Sequence, residues 1–322
     1  MSELTSEPPA RLYDMDHVLM EDGRIFRVLG NLAASDVFLG YNLYSPSAEG
    51  DRVFRGEPYI KNYIEDTVLP TDVMETYEVL RTADVVEFFD PIKSAQENNH
   101  SYQGTIWFEL YERLVRHFGE ASVGIFGSAL PGLHLGTTGT LKNDVDYFIE
   151  GLDNVPKLAE YLPEVREHLG FSDYSAAVQY DIHNTWRRVF RNPNNSLEKI
   201  IQRRWSGMQY DGPGARPVLN TFRFRDKEVK TPMELMGSEN TIRQNVTLRG
   251  TVADDIGGNL YPRVFNLDLG HKCTPVYSFW WKLSSPVRAG DSVILTGDMI
   301  GLHDQEALRL TNYVNHSITI TS

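Results

Sequence analysis

The chain of 322 residues has a single cysteine, Cys273, so it carries no intrachain disulfide and no zinc site built from cysteines. That usage suits a reducing compartment, and the expected location is cytoplasmic. No run of 18 apolar residues occurs, so no membrane-spanning helix is expected. The opening residues MSELTSEPPA lack both a basic start and an apolar stretch, and they read as a frayed polar tail rather than a signal peptide. The phosphate-loop pattern GxxxxGK[ST] and the GxSxG nucleophile elbow are both missing, which argues against a P-loop NTPase and against the common serine hydrolases. There is no internal repeat and no low-complexity segment.

Positive charge is scarce, and its distribution is uneven. The chain has 31 Lys and Arg against 44 Asp and Glu, a net charge of −13. Residues 1–120 hold 10 basic and 22 acidic side chains, residues 121–237 hold 14 of each, and residues 238–322 hold 7 and 8. The acidity therefore belongs to the first third, which would repel a long polyanion. The exception is 186–205, WRRVFRNPNNSLEKIIQRRW, with six basic residues and one acid. Arginine suits phosphate recognition because its planar fork donates two parallel hydrogen bonds. This region is set against the alternative of a solvated helix face.

The pattern along the chain predicts an α+β protein. Arg24–Leu29 and Val37–Tyr44 read as strands, with more strand near Val53–Phe54. Residues 71–90 are expected to be helical, with Thr71 as cap and Asp90-Pro91 as the stop. Residues 105–118 place apolar side chains at Ile106, Leu110, Leu114 and Phe118, the spacing of an amphipathic helix. Ser122–Phe126 is a short apolar strand and Asp144–Ile149 another, followed by helices over 155–168, 175–190 and 196–205 and a strand over Pro217–Phe224. From Thr241 the pattern changes to short strands split by turns, which predicts a small OB-like β-barrel. The expected division is 11–104, 105–237 and 238–322.

The stretch that carries chemistry is VGIFGSALPGLHLGTTGTLKNDVDYFIEG, Val123 to Gly151. A strand delivers Gly127-Ser128, where glycine permits close backbone approach to a phosphate and Ser128 offers a hydroxyl and an N–H. If Ser128 opens a helix, its free N–H groups face the same anion. Asp144 and Asp146 sit two apart on the next strand, so both carboxylates emerge from one face, while Val145, Tyr147 and Ile149 anchor the other. Two such carboxylates can share Mg²⁺ or Mn²⁺, which bridges triphosphate oxygens and stabilises leaving pyrophosphate. Taken one at a time, Asp-x-Asp and Gly-Ser are common by chance. The ordered combination is the signal.

On Phe126, Gly127, Ser128, Asp144, Val145 and Asp146 the chain resembles the DNA polymerase β-like nucleotidyltransferase superfamily. More narrowly, GSALPGLHLG and NDVDYFIEG are similar to segments of archaeal-type nucleotidyltransferases. The resemblance implies a nucleotidyltransferase-like mixed sheet with helices, preceded by a β-rich segment and followed by the barrel. It implies transfer of an NMP from an NTP to an acceptor, with Asp144 and Asp146 as metal-holding catalytic acids and Gly127 and Ser128 at the triphosphate. Two departures stand out. The link from Ser128 to Asp144 is long, and the third acid that such enzymes place on a later strand is not evident. Asn220 and Thr221 occupy the best strand, and Asp181 and Glu228 are the substitutes.

Arg187, Arg188, Arg203 and Arg204 are the candidates for neutralising phosphate. His134 lies just past Gly-Ser and is read first as a structural histidine; His100, His168 and His183 lack metal-like spacing. Trp186, Trp205, Trp280 and Trp281 could stack on a base or pack a core. The acceptor is expected to be a small molecule or nucleotide in preference to an RNA end. The rival class is a nucleotide-binding scaffold whose catalytic site has decayed.

Overall fold

A computed structural model describes residues 11–32, 34, 36–62, 70–133, 145–203, 207–210, 218–280, 286–303 and 305–322, with the backbone alone at 207, 218–221 and 256. The protein is mixed α/β, with a sheet-rich N-terminal region and a closed five-stranded barrel near the C-terminus. Its chain forms two compact units. One comprises Met1–Tyr63, Glu78–Tyr174 and Ser206–Glu228; the other comprises Ile64–Tyr77, Ser175–Trp205 and Val229–Ser322. Among the described residues, no helix is long and apolar enough to cross a membrane.

The first unit opens with β1 (His17–Met20), β2 (Ile25–Val28), β3 (Val37–Pro46), β4 (Arg52–Phe54), β5 (Glu57–Lys61), β6 (Tyr77–Arg81) and β7 (Val85–Phe89). They form one sheet in the order β4-β5-β3-β2-β1-β7, with β6 on β3. The helix expected over 71–90 is therefore a correction. Asp72 and Glu75 close a capping box on a single 3₁₀ turn, Val73–Thr76, and the chain then extends. Val85 to Phe89 alternates its burial and pairs antiparallel with β1, as β-branched and aromatic residues on a pleated surface do. Asp90, expected to stop a helix, starts one: its carboxylate accepts from the N–H groups of Ile92 and Lys93 and caps α1 (Pro91–Asn98).

Helix α2 (Ile106–Phe118) is capped by the Thr105 hydroxyl and ends at Gly119, whose φ of 86° a side chain would resist. Trp107, Leu110, Tyr111 and Leu114 form its buried stripe. Strands β8 (Val123–Phe126) and β9 (Asp146–Glu150) follow, then α3 (Asn154–Leu169). In the second unit, α4 (Ala176–Val189) and α5 (Leu197–Gln202) come next in the chain. The first unit resumes with β10 (Gly207–Tyr210), β11 (Val218–Thr221) and β12 (Arg223–Arg225). β8, β9 and β12 make a small mixed sheet in the order β12-β9-β8, with β9 antiparallel to β8 and parallel to β12.

The second unit is completed by β13 (Thr241–Asp254), β14 (Arg263–Asp268), β15 (Cys273–Ser278), β16 (Ser292–Leu302), β17 (Gln305–Leu310) and β18 (Ser317–Ile320). The order β13-β14-β15-β17-β16 closes through β13 and β16, and β18 adds to β16. Alternating burial along β14 and β16 places Phe265, Leu267, Val293 and Leu295 inside, the period-two pattern that a barrel core requires. His316 fastens the last turn: its Nδ1 accepts from the Thr311 and Asn312 N–H groups, and its Nε2 lies 3.2 Å from Asp298. Burial alone would raise the Asp298 carboxyl, but the hydrogen bonds from His316 and from the Asn245 N–H hold it below its ordinary value.

Candidate functional site

Strand β8 is buried along its whole length, and it delivers Gly127 beside the start of β9, where Phe126 pairs with Asp146. Gly127 has a φ of +69°, and a Cβ built there would stand 2.7 Å from Asp146 Oδ2. Glycine suits both the left-handed backbone and the close approach of the carboxylate. The Gly-Ser turn thus lies directly against the carboxylate. Ser128 and Asp146 are both half-buried, while Tyr147, Phe148 and Ile149 are fully enclosed. The Tyr147 hydroxyl donates to the Trp107 carbonyl at 3.0 Å, which pins β9 to α2.

Ser128 does not open a helix; residues 127–133 run as successive turns. The segment is apolar at Ala129, Leu130 and Leu133, and burying those three side chains takes precedence over helix formation. The N-terminal sheet holds the turns in place. Leu133 packs among Leu19, Ile25, Leu43, Tyr44, Phe54 and Tyr59, and its carbonyl accepts from Arg52 Nη1 at 3.1 Å. Asn98 donates to the Ala129 carbonyl at 3.3 Å.

The face of the small sheet that bears Asp146 also carries Phe126, Phe148 and Glu150, together with Arg223 and Arg225 of β12. Met15 packs against Phe126 and Phe148, which brings Asp14 and Asp16 onto this face. Arg225 Nη1 donates to Asp16 Oδ1 at 2.7 Å, and its Nε donates to Glu150 Oε2 at 2.7 Å. The Arg225 and Asp16 side chains are each 2% exposed. Burial pushes Asp16 up to about 7 against the pull of Arg225. Burial likewise opposes the Arg225 charge, but Asp16 and Glu150 outweigh it and raise the guanidinium above its ordinary value. Asp14, raised by burial and opposed first by Arg27, lies 3.7 Å from Arg27 Nη2 and accepts from the Gly30 N–H. The guanidinium groups of Arg27 and Arg223 lie 5.6 and 5.1 Å from the centre of the Phe126 ring, beside Gly127.

No protein-family model, curated protein or solved structure matches this chain.

Of the residues singled out in the sequence, Gly127, Ser128 and Asp146 come together. Asp144, Arg204, His134, Trp205 and Trp281 lie outside the described residues. Arg187, Arg188 and Arg203 belong to the second unit, whereas Gly127 and Asp146 belong to the first. Arg203 is held by Asp291, with both carboxylate oxygens 2.8 Å from Nη1. Trp186 and Trp280 are core residues, 3% and 2% exposed. Asp181 lies in α4 of the second unit, and Glu228 follows β12 beyond the end of β9. Among the described residues, no three His, Cys, Asp or Glu side chains converge as a metal group.

Sequence reasoning missed Arg27, Arg223, Asp14 and Asp16. Asp14 and Asp16 flank Met15, a turn residue with a φ of 69°, and carry no strand periodicity; the legible signal was the alternation Arg223-Phe224-Arg225. A period of two puts like residues on one face of an extended chain.

Proposed function

We propose that the protein is a metal-dependent nucleotidyltransferase that moves an NMP from an NTP to an acceptor and releases pyrophosphate. The observation that carries this reading is the approach of Gly127 to Asp146: a glycine in left-handed conformation with a carboxylate where its side chain would be. A phosphate meeting the Gly127-Ser128 backbone would then stand beside an acid able to share its counter-ion. The antiparallel pair of β8 and β9, with β12 parallel beside β9, agrees with the nucleotidyltransferase-like sheet that the sequence resemblance implies. The closed barrel, with β15 and β17 parallel and the order β13-β14-β15-β17-β16, supports the OB-like reading of the C-terminal part.

The donor set fits Mg²⁺ held jointly with substrate. Magnesium takes one or two carboxylates, several waters and substrate phosphates, so Asp146 with Asp144 would suffice without a third acid. The ion would supply charge stabilisation to the phosphoryl oxygens and the leaving pyrophosphate. Gly127 and Ser128 orient the triphosphate through backbone and hydroxyl donors. Arg27 and Arg223 add positive charge beside Phe126. A small molecule or nucleotide is the favoured acceptor, because the first third of the chain repels a long polyanion.

A second reading is a nucleotide-binding protein without turnover. It is favoured by the arginines of β12, which stand beside β9 on the strand where a third acid is expected. Release of pyrophosphate from each of the four NTPs, with and without Mg²⁺ and in the presence of candidate acceptors, separates the two. Metal-dependent release establishes the enzyme. NTP binding without release establishes the binding protein.

A further inference from the structure

The second unit contains a cavity of about 540 Å³ between α4 and α5, lined by His183, Arg187, Phe190, Arg191, Leu197 and Lys199 among others. Its size suits a small ligand. Its charge is the unusual feature. The exposed Arg187 guanidinium makes no hydrogen bond or ion pair among the described residues. Arg191 donates to the Pro70 carbonyl, and Lys199 Nζ donates to the Ile320 carbonyl at 3.2 Å. Three solvent-exposed cations thus line one cavity, two of them hydrogen-bonded to neutral carbonyls, and no carboxylate among the described residues pairs with any of them. This occurs in a chain with 44 acids and 31 bases. Glu198 is the one acid on the rim.

The walls are cross-linked by hydrogen bonds. The Ser196 N–H donates to the Ile318 carbonyl at 3.0 Å, Ile318 N–H to Asn195 Oδ1 at 2.8 Å, and Ile320 N–H to Ser196 Oγ at 3.0 Å. The backbone N–H groups of Arg191 and Asn192 both donate to the Tyr313 carbonyl. Arg187 lies in the last turn of α4 and Arg191 in the loop that follows it. Cations gathered on one wall without a carboxylate partner offer charge and hydrogen-bond donors that phosphate groups match.

We infer that this cavity binds a small molecule bearing two or more phosphate groups. The inference does not rest on the reading of the Gly127–Asp146 site, since every residue in it belongs to the second unit. A small ligand is favoured over a polymer because the acidic first third opposes a long polyanion. Tyr180 is 67% exposed and stands seven residues before Arg187 on the same helical face, a platform for a base if the phosphates belong to a nucleotide.

The test is calorimetry on the full chain in metal-free buffer, with inorganic pyrophosphate, ADP and a short single-stranded RNA as probes. Pyrophosphate should bind saturably, and Arg187→Ala should weaken it about tenfold, the loss of one charged hydrogen-bond donor. Arg187→Ala combined with Lys199→Ala should weaken it further. Asp146→Asn should leave the affinity unchanged, which separates this cavity from the other site. A preference for ADP that Tyr180→Ala removes assigns the phosphates to a nucleotide; equal binding of ADP and pyrophosphate assigns the site to the phosphates alone. Absence of saturable binding, an unaltered affinity in the double variant, or tighter binding of the RNA than of pyrophosphate overturns the inference.

Discussion

Asp16 and Arg225, 209 positions apart in the chain, meet at 2.7 Å with both side chains sealed from solvent. The guanidinium also holds Glu150 and lies 4.5 Å from the centre of the Phe148 ring, so one arginine ties the N-terminal segment to β9 and β12. Two carboxylates then depend on a single cation in a medium where an uncompensated charge is costly.

Replacing that cation should therefore cost far more than replacing a surface charge. Arg225→Met keeps much of the side chain's volume and leaves Asp16 and Glu150 without their cation, an expected loss of about 3–5 kcal/mol in urea unfolding. Lys93→Met, on an exposed pair with Glu97, should change stability by less than about 1 kcal/mol. Similar losses in the two variants would show that the buried pair does not anchor this face.

The pairing also shows what the sequence could and could not reveal. β8, β9 and α2 were legible because their apolar spacing is local and is bounded by Gly119 and Gly127. The stretch 71–90 was misread because its acids mimic a helix first turn, while the deciding partner, β1, lies more than fifty residues upstream. Arg203 and Asp291 meet across 88 positions, and nothing local in either segment indicates the other. The Gly127–Asp146 contact was half legible. The motif named both residues, but their proximity depends on the β8–β9 register. Asp181 and Glu228 were attractive by residue type alone, and the β9–β12 register carries Glu228 past the end of β9.

His17 supplies one part of the pH dependence, opposed over the same range by its neighbour Asp16, whose raised pKa of about 7 favours the folded state at low pH. The His17 ring is fully enclosed, Nδ1 bonds the Met15 carbonyl at 2.9 Å, and burial, with Arg27 nearby, pushes its pKa down to about 3. The unfolded chain would protonate near 6.5, so it binds a proton that the folded chain refuses. Stability from this residue is present above pH about 6.5 and is lost as pH falls toward 3, by several kcal/mol in all. His17→Gln should remove that contribution from the stability profile through that window. An unchanged slope between pH 6 and about 4 would show that His17 is not the group responsible.

The proposed site gives a paired test. Asp146→Asn should reduce turnover by orders of magnitude with the fold intact by circular dichroism, because charge positioning is most of phosphoryl-transfer catalysis. Gly127→Ala should act differently. Its Cβ meets Asp146 at 2.7 Å and its backbone is left-handed, so it should lose more than about 1 kcal/mol of stability together with activity. Full activity in either variant under Mg²⁺ would remove these residues from the mechanism.

The change of sequence pattern near Gly237 suggests a cut that would release the barrel, but the second unit is not contiguous in sequence. Phe190, just after α4, lies 5.6 Å from the Trp280 ring and 5.4 Å from the Tyr313 ring, and Arg203 is held by Asp291. Ser196 and Asn195 hydrogen-bond the backbone of β18. A chain ending at Gly237 keeps α4 and α5 and deletes every one of these partners. Trp186, Phe190, Leu197, Ile200 and Ile201, all buried in the full chain, would then face water. The truncated protein should bind a hydrophobic dye, associate, and be cleaved by protease within residues 175–205. In the full chain Phe190→Ala should cost roughly 3–5 kcal/mol, as expected for emptying an aromatic position in a packed core. A monomeric, protease-resistant 1–237 fragment, or a Phe190→Ala loss below about 1 kcal/mol, would show that α4 and α5 stand without the barrel.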